Sequence, residues 1–335
     1  MDKNTKILVT GASGMVGSYI VRNLLLEGYV NITGCRRESS NLEYIGDFIK
    51  SIDWVELDIL DPMVVFEAVK GAEVVIHAAA AVDFQGQFET LYKVNVEGTA
   101  TVVNAALEAN VKKFIYISST AALGRKSRKN IIDENTEWEY SKYNTDYAIS
   151  KYHAELEVWR GVAEGLKAIV LNPSFILGTG DWNRSSLKLI KKIDAGIWLY
   201  PGGSNGFVDV RDVAKSVLLA LKDSIVGERY IISAENSSYK KIIDLIAKEL
   251  KKKPPSLKLP YAVGYIGGKL GDLVSFIKPD FFPVNMDIIR NLYSDNNYLP
   301  TKSLERLGMD YISIKQSVEE VVNAYRNTGI KILKF

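Results

Sequence analysis

The chain has 335 residues, of which 47% are hydrophobic and 24% charged, with a formal net charge of +2. This is a globular composition that excludes disordered and fibrous classes, and the near-balanced charge offers nothing to a nucleic-acid partner. One cysteine, Cys35, and two histidines, His77 and His153, exclude an internal disulfide and a His/Cys metal cluster, so no metal is expected. After Lys3 and Lys6 the first apolar run is only Ile7 to Val9, too short for an export signal. The apolar stretch from Leu259 to Ile277 carries Lys269, Asp272 and four glycines, which predicts a buried or surface-docked helix and no membrane span. The expectation is a cytoplasmic protein with a small-molecule partner.

In chain order, Ile7 to Val9 reads as a buried strand, and Met15, Val16, Tyr19, Ile20 and Leu24 recur at helical spacing. Between them stand Gly11, Gly14 and Gly17. The first allows a tight turn of unusual φ, the second a close approach to the backbone, and the third close packing of helix on strand. Free N–H groups and the positive end of the helix dipole then face an anion, which predicts a nucleotide site. Further strands are predicted at Tyr29 to Gly34, Trp54 to Leu57, Val74 to His77, Phe114 to Ser118 and Ala168 to Leu171. Helices are predicted around Met63 to Val69, Phe88 to Ala109 and Asp146 to Ala163. Such alternation gives a doubly wound parallel sheet of the Rossmann type.

Past Asn172-Pro173 the texture changes to glycine-rich passages and mostly helical segments, which predicts a smaller, mostly helical C-terminal substrate lobe. Val208 to Val210, the helical Asp212 to Lys222 and Arg229 to Ser233 are expected to return to the main sheet. The expected division is therefore 1–171, with returns near 207–233, as the dinucleotide-binding domain, and 172–206 with 234–335 as the substrate lobe. Lys251 to Lys253 before Pro254-Pro255 read as a solvated helix end.

Tyr147 and Lys151 stand four residues apart, on one face of a predicted helix. In isolation such a pair is ordinarily a surface pair. A nearby cation favours phenolate, so the expectation is that Lys151 lowers the Tyr147 pKa and fits the phenol for acid/base work.

These features, with Asp58-Ile-Leu-Asp61, His77-Ala-Ala-Ala80, Asn95-Val-Glu-Gly-Thr99, Tyr116-Ile-Ser-Ser-Thr120 and Asn172-Pro-Ser174, resemble the extended short-chain dehydrogenase/reductases along essentially the whole chain. The resemblance implies that Tyr147 is the acid/base, that Lys151 lowers its pKa and binds the nicotinamide ribose, and that a strand-end hydroxyl holds the substrate oxygen. That role falls on Thr120, with Ser119 the neighbouring candidate. It further implies a cofactor shell of Gly11, Ser13, Gly14, Met15 and Val16 in the first turn, and Asp58 with Ile59 at the adenine. Ala78, Ala79, Ala80, Asn95, Ser118 and Ser119 would follow the dinucleotide backbone, and Asn172, Pro173 and Ser174 the nicotinamide.

Arg36 and Arg37 follow the second strand, where NAD-selective relatives carry an acidic residue, and a guanidinium there suits a phosphate. NADP is the expected cofactor, with NAD the alternative. Within the family, Gly203 to Ala214 and Cys35 to Leu42 look most like the dihydroflavonol-reductase-like branch, which implies NADPH-dependent reduction of an aldehyde or ketone. The alternatives are a sugar-nucleotide epimerase or dehydratase, with Asn172, Arg184, Lys188 and Arg211 as diphosphate candidates, and a non-catalytic NADP-sensing protein. Asp83, Phe84, Trp182 and Phe207 are candidate pocket walls. A homodimer through Phe88 to Ala109 and Asp146 to Ala163 is the expected assembly.

Overall fold

The structure, a computed structural model, describes residues 1–82, 88–182, 187–222, 224–277, 285–327 and 333–335. Its strands are β1 (Ile7–Thr10), β2 (Ile32–Arg36), β3 (Asp53–Glu56), β4 (Val74–His77), β5 (Lys113–Ile117), β6 (Lys129–Ile132) and β7 (Ala168–Pro173). They continue as β8 (Phe175–Leu177), β9 (Leu199–Tyr200), β10 (Ser204–Asp209), β11 (Glu228–Ile232), β12 (Glu235–Ser238), β13 (Leu257–Lys258) and β14 (Asp295–Tyr298). The first helices are α1 (Met15–Leu26), α2 (Pro62–Val69), α3 (Phe88–Tyr92), α4 (Gly98–Glu108), α5 (Asp146–Ala163) and α6 (Leu187–Asp194). The rest are α7 (Val210–Lys222), α8 (Tyr239–Glu249), α9 (Tyr261–Ile277), α10 (Met286–Leu292), α11 (Thr301–Glu305) and α12 (Ile314–Arg326).

Seven parallel strands make the main sheet in the order β11-β7-β5-β4-β1-β2-β3. β1, β4, β5 and β7 are buried along their full length, as strands covered on both faces must be. Alternate side chains of these strands feed two apolar clusters, one under α1 and α7 and the other under α2, α4 and α5. Local chemistry sets the helix starts: Asp61 caps α2 with Pro62 in its first turn, and Thr145 Oγ1 accepts from Ala148 N at the start of α5.

The structure departs from the sequence reading in four places. The second strand is Ile32–Arg36 and not Tyr29 to Gly34, because Gly28 (φ +86) turns the chain off α1 and Tyr29 is packed into the core before the strand begins. The stretch 88–109 is not one helix: a π turn at Lys93–Glu97 separates α3 from α4. Arg229 to Ser233 does rejoin the main sheet as β11, but Val208 to Val210 does not. Val208 lies in β10, the centre of a second sheet ordered β12-β10-β14-β6 with β8 also on β10, and Val210 opens α7. The C-terminal lobe thus has a sheet of its own beside its helices, and β6, from within 1–171, is part of it. α9 occupies the expected apolar stretch, and no helix of the described residues is long and apolar enough to cross a membrane.

Two glycines define how tightly the fold is drawn. A Cβ on Gly17 would stand 2.1 Å from the Gly11 carbonyl oxygen, whereas one on Gly267 in α9 meets nothing within 4 Å. Gly17→Ala is expected to cost about 3 kcal/mol by overpacking, and Gly267→Ala to gain up to about 1 kcal/mol in helix propensity, both read from urea unfolding.

Candidate active site

β1 and β4 are neighbours whose connections leave on opposite sides of the sheet, and this divergence opens a crevice at their carboxyl ends. Gly11 turns at φ +66, and a Cβ there would stand 2.7 Å from Ala79 N, so the glycine turn lies directly against the Ala78–Ala80 segment. Gly14 opens α1 without a side-chain cap and without an acidic residue in the first turn. The N–H groups of that turn are left to an external anion. Ser13, Met15 and Val16 are half-buried around this point and Gly14 is exposed. A backbone cradle with no room for side chains, under an uncapped helix, fits a dinucleotide pyrophosphate.

At the far ends of the crevice the nominated residues divide. Arg36 at the end of β2 is half-buried and pairs with Glu56 at 3.4 Å, while Arg37 is exposed and its N–H donates to Ser40 Oγ. Asp58 is exposed and accepts from Leu60 N, and Ile59 beside it is buried against Gly98. Asn95, in the π turn, exchanges two hydrogen bonds with the Ala81 backbone and donates a third to Ser150 Oγ. It clamps the segment after β4 onto α5.

α5 brings Tyr147 to the end of β5, where its phenol is hydrogen-bonded to Ser119. Ser119 caps the short turn Thr120–Leu123, and Thr120 is buried as its first residue. The hydroxyl in contact with the phenol is therefore that of Ser119. Lys151 is 1% exposed, and its Nζ donates to Tyr116 Oη at 2.7 Å and to the Ile117 carbonyl at 3.1 Å.

The titration expected from Tyr147 and Lys151 is corrected by their surroundings. Burial pushes the phenol up to about 12, partly relieved by Ser119, and pulls the Lys151 amine down to about 7 against the charge of Glu155. Desolvation outweighs proximity here: the ammonium is directed at Tyr116, and the phenol remains protonated.

Two residues that the sequence reading missed organise this centre. Glu155, 2% exposed, accepts from Ser118 Oγ at 2.7 Å and Asn172 Nδ2 at 2.8 Å on one oxygen. Its other oxygen takes Trp159 Nε1 at 3.2 Å and Arg229 at 2.9 Å. The signal was present, since Glu155 follows Lys151 by one helical turn on the same face. Asn172 also donates to the Ser119 carbonyl, so Ser118 Oγ and Asn172 Nδ2 are already engaged, while Asn172 Oδ1 and Ser174 Oγ are enclosed without partners and Pro173 is buried between them.

The second missed residue is Tyr116, which is linked through Thr99 to His77. His77 is fully buried, with Nδ1 2.7 Å from Thr10 Oγ1 and Nε2 3.1 Å from Thr99 Oγ1. Ala79 N also donates to Thr10 Oγ1. A continuous polar chain runs from the cofactor segment to Lys151.

Other candidates fall outside this cluster. Phe207 is packed between Phe175 and Tyr239, and Trp182 sits edge-on to Tyr325. Arg211 is buried and held by Asp209 and Glu320, and Lys188 is exposed. Asp83, Phe84 and Arg184 lie outside the described residues. Cys35 is buried, which pushes its thiol up to about 12, and no group of metal-ligating side chains occurs among the described residues.

Crevice and phenol define the class, an enzyme that works on a bound dinucleotide. The chain belongs to the NAD dependent epimerase/dehydratase family, whose model matches residues 7–233. It is an NAD(P)-dependent oxidoreductase of the extended short-chain dehydrogenase/reductase type. A Synechocystis protein provisionally named a dihydroflavonol 4-reductase is 29% identical over 332 residues, spanning 96% of this chain and 94% of its own. Cinnamoyl-CoA reductase 1 of Petunia hybrida is 26% identical over 339 residues, spanning 96% of this chain and 92% of its own. The crystal structure of gox2253 superposes with a TM-score of 0.84 at 29% identity, covering 97% of this chain and 99% of that one.

Burial pulls His77 down to about 3, against an ordinary value of 6.5. The unfolded chain therefore binds the extra proton first, so this contribution to stability is complete above pH 6.5 and lost as pH falls toward 3. Urea unfolding between those limits is expected to show stability falling with acid, with a shallower slope in His77→Gln.

Proposed function

We propose that this protein is an NADPH-dependent carbonyl reductase that converts an aldehyde or ketone into the alcohol. The observation that carries the reading is the Tyr147 phenol, hydrogen-bonded to Ser119 beside the dinucleotide crevice, where burial pushes it up to about 12. When bound, the reduced dinucleotide supplies the hydride that adds to the carbonyl carbon. Tyr147 gives its proton to the carbonyl oxygen as the C–O bond becomes single. A phenol kept protonated by burial is in the form this direction requires.

The protein's other groups prepare that transfer. Thr120 donates a hydrogen bond to the carbonyl oxygen and sets the approach, while Ser119 stabilises the phenolate left behind. Lys151, one helical turn away, holds Tyr116 Oη and the Ile117 carbonyl at the end of β5, next to the segment that carries Ser119. The reductase names of the relatives support this reading over epimerisation. Arg211, nominated for a sugar-nucleotide diphosphate, is already engaged by two carboxylates. The substrate lobe comprises 172–206 and 234–335, with β6 and the end of β10 added by the second sheet.

Arg36 carries the NADP preference. It stands at the end of β2, half-buried and paired with Glu56 at 3.4 Å, and a ribose phosphate is the stronger anion for its guanidinium.

Tyr147→Phe is expected to leave the NADPH dissociation constant within about twofold and to lower kcat by at least about a hundredfold; retained turnover would reject the role. Arg36→Ala is expected to weaken NADPH by roughly tenfold or more while leaving NADH little changed. Calorimetry on both cofactors checks it, and tighter wild-type binding of NADH than of NADPH would refute the preference.

A further inference from the structure

Among the described residues two arginines are buried as deeply as the core, Arg125 and Arg211, each 6% exposed. Arg211 is fully answered: Asp209 accepts at 2.8 and 2.9 Å, Glu320 at 2.6 Å and the Lys334 carbonyl at 2.8 Å. Arg125 is not. Its main chain is fixed, with N–H donating to Asn144 Oδ1 at 2.7 Å and the carbonyl accepting from Ser141 Oγ. Its guanidinium forms no ion pair and no hydrogen bond with the described residues, and its Nε is enclosed without a partner. The guanidinium of a buried arginine keeps its charge, and with no carboxylate of the described residues paired to it that charge is left for an external anion.

The position of this side chain relates it to the reacting centre. Arg125 follows Thr120 by five residues, just past the turn Thr120–Leu123. Leu123 of that turn packs with Tyr298 of β14. The Tyr298 ring borders Gly206, where a Cβ would stand 2.7 Å from the ring and 3.0 Å from Ser174 Cβ. Tyr298 thus lies between Leu123, two residues before Arg125, and Gly206, which stands beside Ser174. The charge of Arg125 is felt at the Tyr239 phenol, whose oxygen accepts from Asn205 Nδ2 at 3.3 Å.

The neighbouring strands add further unanswered groups. Ser237 pairs in register with Asn205, and Asn296 follows the Ser204–Asp295 pair on the other side. Ser237 Oγ, Asn296 Nδ2 and Tyr298 Oη are all enclosed without partners. A buried cation with no paired carboxylate has the chemistry of a site for an oxyanion.

We propose that Arg125 determines substrate class by anchoring a carboxylate or phosphate carried by the carbonyl substrate. The proposal rests on the reductase reading for the word substrate, but the anion site stands without it. Planar guanidinium and planar carboxylate, or a phosphate face, pair through two N–H groups at once, which fixes the substrate's orientation as well as its charge. Neutral carbonyl compounds leave the guanidinium unanswered and are disfavoured for that reason.

Binding tests the site without turnover. Benzoate and phenyl phosphate are added to the NADPH-bound protein and the shift in melting temperature is read, with benzyl alcohol as the neutral control. At least one anion is expected to raise the melting temperature by several degrees, the alcohol is not, and the larger shift identifies carboxylate or phosphate. Arg125→Met is expected to abolish the anion shift. Arg125→Gln, polar and closer in shape, carries the same expectation should the first variant fail to fold. No shift in the wild type, or an equal shift in a folded variant, overturns the proposal.

Turnover then separates the two readings. The wild type is expected to favour 4-carboxybenzaldehyde over benzaldehyde by roughly tenfold in kcat/KM, carried by KM, if carboxylate gives the shift. The ratio is expected to fall toward one in Arg125→Met. An anion shift without reduction of either aldehyde would refute the reductase reading and leave the anion site standing.

Discussion

The centre of this molecule is organised by a carboxylate that has no water. Glu155 lies inside, and a buried anion persists only when its charge is answered from close range. The answers come from four directions: its own helix through Trp159, β5 through Ser118, β7 through Asn172 and β11 through Arg229. All four are donors, and together they tie α5 to three adjacent strands, at the ends of β5 and β7 and near the start of β11. Tyr147 and Lys151 ride on that helix, and Ser119 and Ser174 leave those strands. Their relative positions are inherited from the carboxylate beneath them.

The same dryness governs the proton economy of the site. Lys151 and His77 are enclosed and Tyr147 is half-buried, and in each burial favours the uncharged form. Reasoning from spacing alone puts a cation beside a phenol and predicts an acidic phenol. In three dimensions the ammonium is turned to Tyr116, and withdrawal from water acts on both groups more strongly than their mutual attraction. A protonated phenol next to an amine near neutrality is a proton source, and reduction is the direction that consumes a proton.

Much of this was legible in the chain. The run Ile7 to Gly17 specifies strand, turn and helix through side-chain size alone, because the close approaches at Gly11 and Gly17 admit no Cβ. The parallel strands are legible because burial on both faces demands uninterrupted apolar runs. The second sheet was not, since its strands Glu235–Ser238 and Asp295–Tyr298 are short and polar and acquire their identity from partners far away in sequence. The π turn at Lys93–Glu97 hides inside an unbroken helical pattern. Spacing could have nominated Glu155, but the direction of the Lys151 side chain and the solitude of Arg125 are properties of packing, which one-dimensional periodicity does not record.

The second sheet takes β6 from ahead of β7, β8 and β10 from between β7 and β11, and β12 and β14 from beyond the main sheet's last strand. No single cut in the chain separates the two sheets into intact halves. Each sheet therefore draws on segments that flank the other's strands, and the cleft between them is built from chain that neither sheet holds alone.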